Sequence, residues 1–297
     1  MQSLQRRWLD LWDRFSATRG SRLLFPLGIV LALYLFAAIV IGIYWSWAPS
    51  QFDVRATAAE RAAAKQSEVV VGSHTTSTLI SLVETLLNKP GGYISNDRTP
   101  PGVWLDNISN WEFGVLVQAR DLSRAMRKTF SRSQSQSTEQ PDLAAAEPRL
   151  HFDNNSWLLP STESEYRDAL GSLYAYHQNL SSASAENTQF YARADNLRDW
   201  LGDVSTRLGS LSQRLSASVG QKRLNTDLAG TSGADQSTAV AAEVEVQTPW
   251  MEIDDVFYEA RGTAWALIHI LNAIELDFQQ SLERKNAVVS LRQIVRE

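Results

Sequence analysis

Residues 23–47 read LLFPLGIVLALYLFAAIVIGIYWSW, and the rest of the chain is organised around them. No charged residue falls between Leu23 and Phe52. About 20 apolar residues in a helix rise roughly 30 Å, the thickness of a bilayer's hydrocarbon core. A helix also satisfies every backbone donor and acceptor within the segment, as lipid requires. The expectation is a transmembrane anchor over 23–47, with Pro26 tolerated in its first turn. Tyr44, Trp45 and Trp47 stand where an interfacial aromatic belt belongs. A cleaved signal sequence fits less well. Its apolar region would run about 7–15 residues, and Pro49 directly follows the small-residue pattern Ser46-Trp47-Ala48.

On the N-terminal flank stand Arg6, Arg7, Arg14, Arg19 and Arg22. Past the anchor, Arg55, Arg61 and Lys65 are fewer and mixed with Asp53, Glu60 and Glu68. Positive charge stays inside, so residues 1–22 are expected in the cytoplasm and the remainder on the far side. Leu4, Trp8, Leu11, Trp12 and Phe15 share one face of that tail. It suits either an amphipathic helix on the inner leaflet or a plain basic topology signal.

The outer part reads as all-α. Residues 48–72 contain an Ala-, Glu- and Arg-rich run expected to form a helical stalk, and residues 73–297 a helical-bundle domain. Leu79, Leu82, Val83, Leu86 and Leu87 give one amphipathic helix, stopped by Lys89-Pro90-Gly91-Gly92. Asn110 is the expected N-cap of a helix reaching Phe130. Glu112 lies near its positive end, and Arg120, Arg124, Arg127 and Lys128 lie towards its negative end. Thr162 and Glu165 have the form of a capping box. Phe190, Ala194, Leu197, Leu201, Val204, Leu208, Leu211 and Leu215 form a coiled-coil-like seam. Its flanks lack a complementary charge code, which favours packing within the domain over a homodimer. Residues 225–248 are small and polar, as a mobile linker would be. Gly262 to Ile274 carries no charge and is too short to span a bilayer, so it is the expected central helix.

Composition excludes several chemistries. The net charge is −5, which argues against a nucleic-acid partner. Cysteine is absent, removing disulfides, thiolate metal sites and cysteine nucleophiles. The four histidines are scattered, no phosphate-binding loop or catalytic serine motif occurs, and no cofactor or metal is expected. The longest irregular stretch is 89–111, with Tyr93, Asn96, Asp97, Trp104, Asp106 and Trp111 among Gly and Pro. Aromatic faces beside amides and carboxylates suit a sugar ring, so this loop is the candidate ligand site. The competing reading has Trp104 and Trp111 plugging the end of the bundle while Asn and Asp cap helices. A second irregular stretch, 131–161, ends in HFDNNSWLLP, which is expected to fold back on the bundle.

Residues 88–167, the anchor and the segment AWALIHILNAIELDF (264–278) resemble the bacterial family catalogued as domain of unknown function 2333. That resemblance implies a Gram-negative inner-membrane protein with its bulk in the periplasm, and it transfers no activity. The leading expectation is a non-enzymatic envelope scaffold that binds a protein partner. The alternative is a module for cell-wall glycan (peptidoglycan) using the 89–111 loop. A sensor ranks third, because the tail is too short for a signalling domain. Ala38 and Gly42 leave homo-oligomerisation through the anchor possible.

Overall fold

A computed structural model describes residues 21–132, 138–182, 188–224 and 243–297. The tail 1–20 and most of the linker, 225–242, lie outside the described residues. The chain is all-α. In order its helices are α1 (Ser21–Trp45), α2 (Val54–Ala64), α3 (Ser73–Asn88), α4 (Asp106–Ala125), α5 (Pro141–Leu150) and α6 (Thr162–Leu180). They are followed by α7 (Ala194–Ala217), α8 (Ile253–Asp277), α9 (Gln279–Arg284) and α10 (Val288–Arg296). A π-type turn, Met126–Phe130, extends α4. One short antiparallel ribbon pairs β1 (Gln221–Leu224) with β2 (Glu243–Val246), so the C-terminal edge of the expected linker is paired strand.

α1 is long and apolar enough to cross a membrane, and most of its side chains face outward. α8 is the central helix, packed by α4, α3, α7, α10 and α2. Its closest neighbour is α4, and glycine makes that approach possible. A Cβ on Gly262 would stand 2.0 Å from the Trp111 carbonyl oxygen, and one on Gly114 would stand 2.2 Å from that of Glu259. Trp111 and Trp265 then meet with ring centroids 5.2 Å apart.

Contacts along the bundle define two ends. Asn110 Nδ2 donates to Asp255 (2.7 Å) near the starts of α4 and α8, while Phe130, Phe190 and Phe278 cluster edge-on past their ends. α3 runs the other way. Its first turn is capped by Asp277, whose carboxylate accepts from the Thr75 amide and hydroxyl (2.7 Å each) and lies 3.0 Å from His74 Nδ1. Its last turn leads to Gly91, which packs against Trp45 at the end of α1. The starts of α4 and α8 therefore share α1's end of the molecule.

Several local expectations shift. The Ala-rich segment is not a free stalk, because Val54, Ala58 and Ala62 are buried and α2 packs on α3 and α8. Asp53, not a continuous helix from the membrane, caps its start. α4 begins at Asp106, four residues before Asn110, which instead reaches α8. The cap of α6 is Ser161, one residue before Thr162, whose hydroxyl donates to the Asp153 and Ser156 carbonyls. α7 begins at Ala194, leaving Phe190 in extended chain within the phenylalanine cluster.

Candidate functional site

The 89–111 loop is built around a buried ion pair. Lys89 Nζ lies 2.6 Å from Glu112 Oε1, with side chains 1% and 0% exposed. The Glu112 carboxylate also accepts from the amides of Ile94 and Ser95, at 2.9 Å each, and from the Ser95 hydroxyl. Lys89 closes the turn by donating to the Gly92 carbonyl. Burial pushes the Glu112 carboxyl above its usual range, opposed by Lys89 and by these hydrogen bonds. By sequence Glu112 lies near the positive end of a helix dipole. The available signal was its position on the inward stripe Ile108, Trp111, Val115, Leu116, Ala119 and Leu122, where every neighbour is apolar or small.

The six candidate residues separate. Tyr93, Asn96 and Trp111 are buried. Tyr93 packs edge-on against Tyr166 and donates to the Asn154 carbonyl, and burial drives its hydroxyl well above the ordinary range. Asn96 Nδ2 donates to the Ser156 carbonyl and to Glu163, both at 2.9 Å. Asp97 is half-buried, its carboxyl raised by burial and then by Glu163, and packs so close to Gly102 that a Cβ there would stand 1.9 Å from Oδ2. Only Trp104, 50% exposed, and Asp106 stand clear at the surface. The plug reading holds for Trp111 and fails for Trp104. The structure does not assemble the six residues into one sugar-binding face.

What the loop does touch is α1. Tyr34 Oη donates to the Pro100 carbonyl at 3.1 Å. A Cβ on Gly42 would meet Pro101 Cβ at 3.3 Å and Leu105 at 3.9 Å, and Ala38 and Gly42 are buried here. The small-residue face of α1 is thus occupied by the chain's own loop.

A second loop, 151–161, is fastened beside the first through Asn96 to Ser156 and Arg98 to the Asn155 carbonyl (3.2 Å). Arg120 holds its start by donating to the carbonyls of Leu150 and Phe152, at 2.7 Å each. Arg124 and Arg127 join α4 to α5 through Glu147, so these arginines form cross-links as well as complementing a dipole. The expected fold-back is present, but Trp157, Leu158 and Leu159 point outward, Leu159 being 98% exposed.

At the opposite end a groove of about 690 Å³ opens between the start of α7 and α9, lined by Val71, Arg193, Asp195, Asp277 and Arg284. Among the described residues no group of three or more His, Asp or Glu side chains gathers as a metal site would require. No curated protein and no solved structure matches the chain. A family model does, over residues 17–297 and so across α1 and all of the helical body. The chain therefore belongs to the domain of unknown function 2333 family, described as an uncharacterized protein conserved in bacteria.

Proposed function

We propose that this protein is a membrane-tethered helical scaffold of the bacterial envelope that binds the helix of a partner protein along α7. The observation that carries this reading is a half-used heptad seam. Leu197, Val204 and Leu211 are buried against the body. Leu201, Leu208 and Leu215, also seven residues apart, run along the next edge half-buried or exposed, with Leu208 at 41%. Two such stripes normally form one knobs-into-holes surface. Here Leu201 still packs against the core, and from Leu208 onward the second stripe lacks a full cover among the described residues. The arginine-weighted tail supports a cytoplasmic N-terminus and a periplasmic body. A scaffold is preferred to glycan binding because Tyr93, Asn96 and Trp111 are committed to the interior.

A photocrosslinking residue at Leu208 in the full-length protein, irradiated in native membranes, should give an adduct of one fixed size. Leu215→Asp, half-exposed two turns further along the same stripe, should abolish it while leaving the fold intact. Failure to form any discrete adduct overturns the partner reading. Reporter fusions at residue 297 that prove active only in the cytoplasm overturn the orientation.

A further inference from the structure

The end of the body next to α1 carries the exposed apolar side chains of three separate segments. Val103 and Trp104, 52% and 50% exposed, form the tip of the first loop. Trp157, Leu158 and Leu159 form the tip of the second, at 57%, 60% and 98%. Trp250 and Met251, 85% and 81% exposed, lead into α8, with Phe257 on its first turns. Isolated apolar residues on a surface need no explanation, but a shared location for large aromatic and aliphatic tips does.

Their placement beside the anchor is fixed by contacts. The first loop lies along α1 through Tyr34, Gly42 and Trp45. From Tyr34 to Trp45 a helix rises roughly 16 Å, about half the hydrocarbon thickness. The second tip is tied to the first by the Asn96–Ser156 and Arg98–Asn155 bonds. The third is tied by Asn110 to Asp255, with Asn110 one helical turn beyond Leu105, which itself packs on Gly42. Any bilayer that receives the C-terminal half of α1 therefore meets the first loop within one leaflet, with the tied tips beside it.

We infer that this end of the body is a second membrane-binding surface, inserting the tips at 103–104, 157–159 and 250–251 into the leaflet where α1 emerges. The inference rests on α1 being a membrane anchor, as proposed above. Trp at a headgroup boundary and Leu just below it is the distribution that an interfacial surface requires. The body is then seated on the membrane at several points, with its long axis held by more than one flexible connection.

Because the sequence has no cysteine, a single introduced one reports one site. Nitroxide labels at Val103→Cys, Leu159→Cys, Ile39→Cys and Gln178→Cys can be compared in the full-length protein, reconstituted in phosphatidylethanolamine–phosphatidylglycerol vesicles. Gln178 is exposed near the far end of α6. Labels at 39, 103 and 159 should collide more with oxygen, which partitions into lipid, than with a water-soluble nickel chelate. The label at 178 should show the reverse. Lipid-like behaviour at 39 with water-like behaviour at 103 and 159 overturns the inference and leaves the anchor standing. Water-like behaviour at 39 overturns both.

Discussion

The backbone amide of Phe52 donates to Nε2 of His269 at 3.1 Å, joining the chain just beyond α1 to the middle of the central helix. The same ring stacks on Phe52, with centroids 4.0 Å apart, and its Nδ1 lies 2.6 Å from the Trp265 carbonyl oxygen. Nδ1 must donate to a carbonyl, so Nε2 is the acceptor and the imidazole is neutral. Protonating Nε2 would set two donors against each other.

This predicts an acid-sensitive junction. Burial lowers the affinity of His269 for a proton, and burial followed by Arg61 does the same for His177. The unfolded chain takes up these protons near the ordinary value of about 6.5, the folded one only at lower pH. Stability is therefore complete above about pH 6.5 and falls as pH drops below it. The raised carboxyls of Glu112 and Asp97 act in the opposite sense, so the informative quantity is a difference. Between pH 7.5 and 5.5, His269→Gln should lose less stability than wild type in denaturation of the detergent-solubilised protein. Parallel curves would show that His269 does not titrate differently on folding.

Breaking the buried pair should be costly for a defined reason. Lys89→Met leaves the Glu112 carboxylate uncompensated, and losses of about 3–5 kcal/mol accompany such changes. Adding Glu112→Gln removes the charge and keeps one oxygen, enough for one of the Ile94 and Ser95 amides, which donate to different carboxylate oxygens. The double variant should regain part of the loss, read as a positive coupling in a double-mutant cycle. If it is no more stable than Lys89→Met alone, the electrostatic account of this loop is wrong.

The α4–α8 crossing predicts opposite outcomes for the same substitution at different glycines. Gly114→Ala and Gly262→Ala place a Cβ well inside van der Waals contact of a backbone oxygen and should cost about 1–3 kcal/mol or more. Gly209 lies within α7 with nothing inside 4 Å of the added carbon. Gly209→Ala should stabilise by about 0.5–1 kcal/mol, because alanine surrenders less backbone freedom in a helix. Thermal denaturation of the three variants separates these signs.

The elements legible in the sequence were those defined by a local pattern. The apolar run at 23–47 lies almost wholly in the helix Ser21–Trp45, and the uncharged run Gly262 to Ile274 is central because a helix without a polar face must be covered. Half of the α7 seam followed for the same reason. What stayed hidden depends on partners distant in sequence. The cap of α3 is Asp277, about 200 residues away, and neither segment announces the other. The inward ion pair of Lys89 with Glu112 spans a turn whose path only folding defines. The candidate sugar residues share a chemistry, and chemistry alone does not reveal that Tyr93 and Trp111 face the core while Trp104 faces out.

The contact between Gly42 and the Pro101–Leu105 segment gives the sharpest separation of insertion from seating. Gly42→Ile makes α1 more apolar, so membrane insertion itself should be unimpaired. Its Cβ would already meet Pro101 at 3.3 Å, and the added branches extend towards Leu105, so the loop has to leave the helix. A nitroxide at residue 103 or 159 should then shift towards the aqueous relaxant, and the body should denature at lower temperature in detergent. Gly28 provides the control, since nothing lies within 4 Å of its added carbon. Gly28→Ile should leave both readouts at their wild-type values. If Gly42→Ile behaves the same way, the loop is not held by α1, and the three apolar tips must owe their position to the bundle alone.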